Sequence, residues 1–74
     1  MNYVAIELKV KKDGTFEVST FKKDDRNKAE QAFHSIMSSA AVSDYPVHAG
    51  LVLNEFGTVV RQPECYKHEQ ESDE

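Results

Sequence analysis

Two glycine turns, Asp13-Gly14-Thr15 and Phe56-Gly57-Thr58, constrain the fold of this chain more than any other feature. Each turn lies between two short runs in which apolar and polar residues alternate, and an amphipathic helix pattern lies between the two units. Alternation with a period of two is typical of a strand with one buried face. The sequence therefore predicts two β-hairpins joined by one helix, in the order β-β-α-β-β.

The register of the first hairpin follows from side-chain pairing. A three-residue loop that ends at Gly14 places Val10 opposite Phe16 and Leu8 opposite Val18. A two-residue turn would instead pair apolar with polar side chains. The third position of the longer loop requires a positive φ, which glycine adopts without steric cost. We therefore expect the three-residue loop.

The helix shows one apolar stripe with helical spacing. We predict that it spans roughly residues 25–41. Asp24, Asp25 and Asn27 are all good candidates for its N-cap residue. Pro46 prevents its continuation. The stripe consists of Ala29, Ala32, Phe33, Ile36, Met37 and Ala40.

The second hairpin is less regular than the first. Leu51 and Leu53 belong to one face of its first strand, and Val52 to the other. Arg61 falls where the first hairpin has an apolar residue, so the last strand should be shorter or more exposed, as an edge strand is. Pro63 is expected to end or interrupt it.

These elements predict a two-layer α+β domain, in which one helix covers one face of a four-stranded antiparallel sheet. We assign the face of Leu8 and Leu51 to the helix. The uncovered face is then more apolar than solvent exposure requires, which usually marks an interface, and a symmetric homodimer or another homo-oligomer is the simplest partner. The predicted interface residues are Tyr3, Ala5, Phe21, His48, Val52 and Val60.

Length and charge agree with a single small domain over residues 1–68. A chain of 74 residues buries only a marginal core, so self-association would stabilise it. The net charge of −4 resides entirely in residues 69–74, which hold four acids and no base and are expected to be a disordered tail. A single cysteine, no signal-peptide pattern and no apolar run of about 18 residues favour a cytoplasmic protein.

No motif in the sequence indicates catalysis, a cofactor or a metal ion. The candidate ligands His34, His48, Cys65 and His68 do not have the spacing of a zinc site, and only the last two are close in sequence. Cys65 lacks an oriented histidine that would make it a nucleophile. The chain is therefore predicted not to be an enzyme.

Nucleic-acid binding is the alternative function. Residues 1–28 hold seven basic and five acidic residues, and Tyr3 and Phe21 could stack on bases if they lay on an open sheet face. The interspersed acids, the pI of 5.3 and the acidic tail oppose this function. We therefore rank it below a protein-interaction module.

Two further segments, together with the Asp13-Gly14-Thr15 turn and the helix, carry a resemblance to known proteins. They are Ala40-Ala41-Val42-Ser43-Asp44-Tyr45-Pro46-Val47-His48 and Glu64-Cys65-Tyr66-Lys67-His68-Glu69. With them, the chain resembles small uncharacterised proteins encoded in prophages and mobile elements of Gram-positive gut bacteria, over most of residues 3–69. The resemblance implies a phage-related genomic setting and no particular activity. No catalytic or binding residue follows from it.

Overall fold

One helix and four strands occur in the order β-β-α-β-β in the structure, a computed structural model that describes residues 1–68. The elements are β1 Tyr3–Val10, β2 Phe16–Lys23, α1 Arg26–Val42, β3 Val47–Asn54 and β4 Val59–Lys67. The strands form one antiparallel sheet in the order β2-β1-β3-β4, which confirms the predicted α+β fold. The predicted acidic tail, residues 69–74, lies outside the described residues.

The two hairpins are closed by the same three-residue loop. The residue before each loop donates its backbone N–H to the carbonyl of the residue that follows the loop. These bonds run from Lys11 to Thr15 and from Asn54 to Thr58, and both are 2.9 Å long. The glycine at the third loop position, Gly14 or Gly57, donates back to the residue before the loop. Their φ values are +89° and +82°, as this loop requires. The predicted first loop is confirmed, and the second hairpin repeats it.

The register of β1 against β2 is also as predicted. Val10 lies opposite Phe16, and Leu8 lies opposite Val18. Both pairs lie on the same face of the sheet, because residues directly opposite each other in an antiparallel pair project to the same side. The half of the first hairpin nearest the loop therefore has one apolar side, which continues toward the other end as Ile6 opposite Thr20 and Val4 opposite Lys22.

The helix agrees with the predicted range to within one residue at each end. It begins after Asp25, whose Oδ1 accepts a hydrogen bond from the backbone N–H of Asn27 at 2.6 Å. Ser43 follows its last residue and donates its backbone N–H to the Ala40 carbonyl. The predicted stripe faces the sheet, with Ala32 only partly buried and the others buried: Ala29, Phe33, Ile36, Met37 and Ala40.

The helix covers the opposite face of the sheet from the one predicted. Ala5 and Val52 lie under it with no exposed surface, whereas Leu8 and Leu51 lie on the other side. The reason is side-chain size. At Gly50, a Cβ would lie only 3.0 Å from Ile36 Cγ2, so the sheet must offer small residues for an alanine-rich helix to approach this closely.

The last strand is an edge strand, as predicted, but it continues through Pro63 to Lys67 and is not short. Its pairing with β3 shifts register on both sides of Val52. Arg61 turns toward the helix, where its guanidinium lies 4.6 Å from the centre of the Phe33 ring. Arg61 Nε is 3.6 Å from Glu30 Oε1, so the two side chains form an ion pair between β4 and the helix.

Candidate interaction surface

The sheet face opposite the helix is formed by every second residue of the strands. The β1–β2 and β1–β3 registers place these residues on one side, and the β3–β4 pairs extend the surface to the last strand. We call this surface the open face. It comprises Val4, Ile6, Leu8, Val10, Phe16, Val18, Thr20, Lys22, Val47, Ala49, Leu51, Leu53, Val59, Cys65 and Lys67.

No residue of the open face is buried. Phe16 and Val18 are the most exposed of its large apolar side chains, at 69% and 59%. All three leucines of the chain, Leu8, Leu51 and Leu53, lie on this face. Leucine is among the residues most often found fully buried. The open face is therefore composed like a protein core.

The predicted interface residues do not lie on the open face, so their predicted placement on the uncovered side of the sheet is wrong. Ala5 and Val52 have no exposed surface and His48 is 2% exposed, so the helix covers them. Tyr3 and Val60 pack against the same core. Phe21 lies opposite Ala5 and lines a groove beside the helix, where it is 39% exposed. The prediction places them on the uncovered side because it assigns the helix to the face with the larger side chains, Leu8 and Leu51.

A buried polar chain links the end of the helix to the centre of the sheet. His48 Nε2 is 2.7 Å from Glu7 Oε2, and His48 Nδ1 is 2.9 Å from Ser43 Oγ. Ser43 Oγ is also 3.4 Å from the Ala40 carbonyl. These residue types resemble a hydrolase triad, in which both ring nitrogens are likewise engaged, but the ring here is 2% exposed. The arrangement joins the end of the helix to the two central strands.

The basic residues of the N-terminal half lie at opposite ends of the sheet. Lys9, Lys11 and Lys12 lie near the first loop, where Lys9 Nζ is 4.0 Å from Glu17 Oε1. The others lie at the far end of β2 and the start of the helix, and Lys28 Nζ is 3.5 Å from Asp24 Oδ1. Phe21, proposed to stack on bases, lies on the helix side. Within residues 1–68, the basic residues of the N-terminal half therefore form two separate groups, and Phe21 is not on the open face.

The candidate metal ligands are also dispersed. Cys65 is exposed on the open face, opposite Ala49. His68 Nε2 is 2.7 Å from the Ala40 carbonyl, and His48 lies in the buried polar chain. Residues 1–68 contain no group of three or more His, Cys, Asp or Glu that could hold a metal ion.

The helix described in this part of the chain lacks the length and apolar character needed to cross a membrane.

Sequence reasoning missed the open face, although a signal for it was present. Alternation alone favours the wrong side, because Val4, Ile6, Leu8 and Val10 on the open face of β1 are all apolar, whereas Glu7 and Lys9 lie on the helix side. The signal that corrects this is residue size: Ala5 and Gly50 lie on one side, and Leu8 and Leu51 on the other. An alanine-rich helix fits only the side with small residues.

No protein-family model, curated protein or solved structure matches this chain.

Proposed function

We propose that this protein is a non-enzymatic, self-associating interaction module that buries its open face against the open face of a second copy. The observation that carries this proposal is the position of the leucines. All three lie on the open face, and none is buried within the chain. A second copy supplies the apolar environment that the chain itself does not.

The small core of the single chain supports this proposal. The buried hydrophobic residues within the described chain number seven, and three of them are alanines, namely Ala5, Ala29 and Ala40. Domains of this size are marginal even when all their large apolar residues are buried. Since the leucines are only partly buried and lie outside this core, covering the open face would bury more large side chains than the fold buries alone. Association and stability are therefore expected to be coupled.

The distribution of charge favours a second copy over a charged partner. The centre of the open face is apolar, and its two lysines, Lys22 and Lys67, lie on the two edge strands. An apolar centre with a polar rim is the usual anatomy of a protein interface. Two identical faces of this kind are self-complementary, as a two-fold symmetric contact requires.

The size of the face is compatible with a dimer. Four strands of about eight residues, at about 4.8 Å and 3.3 Å spacing, form a surface of about 26 by 19 Å. The flat area of two such faces together is about 1,000 Å². The side chains that project from this plane add accessible surface, so the area that a dimer would bury approaches the roughly 1,200 Å² of stable interfaces. Packed face to face, the two sheets would form the inner layers of a helix–sheet–sheet–helix arrangement.

The experiment compares molar masses by light scattering and sedimentation equilibrium. Leu51→Lys places a charge at the centre of the open face and is expected to halve the mass of the wild-type assembly. Val42→Lys is the matched control, because Val42 is 85% exposed at the end of the helix, and it should leave the mass unchanged. Circular dichroism establishes that both variants are folded. A wild-type mass of 8.4 kDa, or equal masses for wild type and Leu51→Lys, would contradict the proposal.

The resemblance to prophage-encoded proteins extends the proposal to a phage or mobile-element origin. The genes that flank this one provide the test. Integrase, capsid or tail genes in the neighbourhood would support the origin, and an uninterrupted set of housekeeping genes would oppose it.

A further inference from the structure

The two edges of the sheet differ in their capacity to accept another strand. On β4, Pro63 lacks an N–H and two register shifts distort the strand, which are common devices against edge-to-edge pairing. On β2, eight residues pair with β1 in unbroken register, with no proline. An unprotected, regular edge is a template for another strand.

The direction of the backbone groups on β2 can be derived from the first loop. Lys11 donates its N–H to the Thr15 carbonyl, so these two residues form a hydrogen-bonded pair. Because hydrogen-bonded and non-hydrogen-bonded pairs alternate along an antiparallel ladder, the odd-numbered residues of β2 turn their backbone groups toward β1. The even-numbered residues Val18, Thr20 and Lys22 turn theirs outward.

The charges on β2 select one partner and one register. Glu17 and Lys23 lie on the helix side, near opposite ends of the strand. If two copies of β2 pair antiparallel with Thr20 opposite Thr20, Glu17 of each copy lies opposite Lys23 of the other. Of the two adjacent registers that keep both helices on one side, one places Glu17 opposite Phe21, and the other leaves Glu17 without a partner in β2. Opposite charges stabilise a cross-strand pair, so the first register is favoured.

We propose that β2 pairs antiparallel with β2 of a second copy, about a two-fold axis at Thr20, and forms a continuous eight-stranded sheet. The outward groups of Val18, Thr20 and Lys22 then form hydrogen-bonded pairs across the axis. The non-hydrogen-bonded pairs, in which side chains approach most closely, include the two Glu17–Lys23 pairs.

The helices leave room for this contact. The helix packs over β1 and β3, so at about 4.8 Å per strand the two helices would be about 19 Å apart. Packed helices need only about 8–10 Å. Phe21, 39% exposed in the groove beside Ala32 and Ser35, would lie next to the axis and be covered.

This contact goes beyond the proposed function because it uses the sheet edge and not the open face. Two such eight-stranded sheets packed through their open faces would form a tetramer. The two contacts are separable by substitution, since Leu51 lies on the open face in β3 and Thr20 is the edge position on the axis.

The first test removes each contact in turn and measures molar mass by sedimentation equilibrium. Leu51→Lys, which abolishes open-face packing, should remain a dimer held by β2. Adding Thr20→Pro should convert it to a monomer, because the outward N–H is lost while the hydrogen bonds to β1 remain. A monomeric Leu51→Lys variant, or a double variant that stays dimeric, would overturn edge pairing. Failure of the open-face proposal gives a different result, namely equal masses for wild type and Leu51→Lys.

The second test exchanges the charges of Glu17 and Lys23 in the Leu51→Lys variant. It decides whether β2 pairs with β2 even if the Thr20→Pro variant does not fold. Glu17→Lys and Lys23→Glu should each weaken the dimer by about tenfold, since each places two like-charged pairs across the axis. Combining them should restore the dimer. Lys9→Gln is the control, because it removes the neighbour of Glu17 within the chain and should leave the dimer unchanged. Equal dissociation constants for the single variants, or no restoration in the combination, would overturn the register.

Discussion

Gly50 and Ile36 approach so closely that a Cβ on Gly50 would lie 3.0 Å from Ile36 Cγ2. The same Cβ would lie 3.1 Å from Met37 Sδ. Gly50 is therefore a point of close contact between the sheet and the helix, on the face of the sheet that the helix covers.

Adding one methyl group at this contact should destabilise the fold. Gly50→Ala forces the helix or the Ile36 side chain to move, and overpacking of this kind costs about 1–3 kcal/mol. Urea unfolding at a fixed protein concentration measures the free energy of unfolding. Ser38→Thr, which adds a methyl group on the exposed side of the helix, is the control and should change it by less than about 0.5 kcal/mol. Equal stability of Gly50→Ala and wild type would contradict the close approach.

The sequence predicted the elements, the first hairpin and its register, because these depend on neighbouring residues. Turn chemistry places Gly14, and cross-strand pairing follows from it. The pairing of β1 with β3 could not be predicted, since it joins residues that are 37 (Val10 and Val47) to 51 (Tyr3 and Asn54) positions apart in the chain. The open face was missed for a further reason. Alternation shows that Leu8 and Ala5 lie on opposite sides of β1, but only the size of the helix residues shows which side is covered.

The buried Glu7–His48 pair should stabilise the fold. Glu7→Ala leaves His48 Nε2 without its 2.7 Å partner in a ring that is 2% exposed. An unsatisfied buried polar group costs about 1–3 kcal/mol, so the unfolding midpoint in urea should fall accordingly. Glu64→Ala, at an exposed glutamate on the edge strand, is the matched control and should have little effect. The role of the pair would be refuted by equal losses in the two variants.

The first loop should show a pH dependence set by Asp13. The Thr15 hydroxyl donates a 2.6 Å hydrogen bond to Asp13 Oδ1, and with the Thr15 backbone N–H it lowers the pKa of this carboxyl below its ordinary value. A lowered pKa in the folded state stabilises the fold above the unfolded-state pKa. This stabilisation is lost as the pH falls through the folded-state pKa.

Thr15→Val removes the hydroxyl donor, so the pKa of Asp13 should rise toward its ordinary value. NMR titration of the Asp13 carboxyl carbon measures it directly. Thr58→Val, at the equivalent position after the second loop, is the control and should leave the Asp13 titration unchanged. An unaltered Asp13 pKa in Thr15→Val would show that the hydroxyl bond is not formed in solution.

The central claim, that a second copy covers the open face, is tested most directly through the leucine methyl groups. Leu8, Leu51 and Leu53 are the only leucines in the chain and all lie on this face, so selective methyl labelling reports on it alone. In an equimolar mixture of labelled and unlabelled protein, filtered NOE spectra detect contacts between copies. We predict intermolecular NOEs from these methyl groups to apolar side chains of the open face. Their absence at concentrations where the protein is associated would contradict the claim.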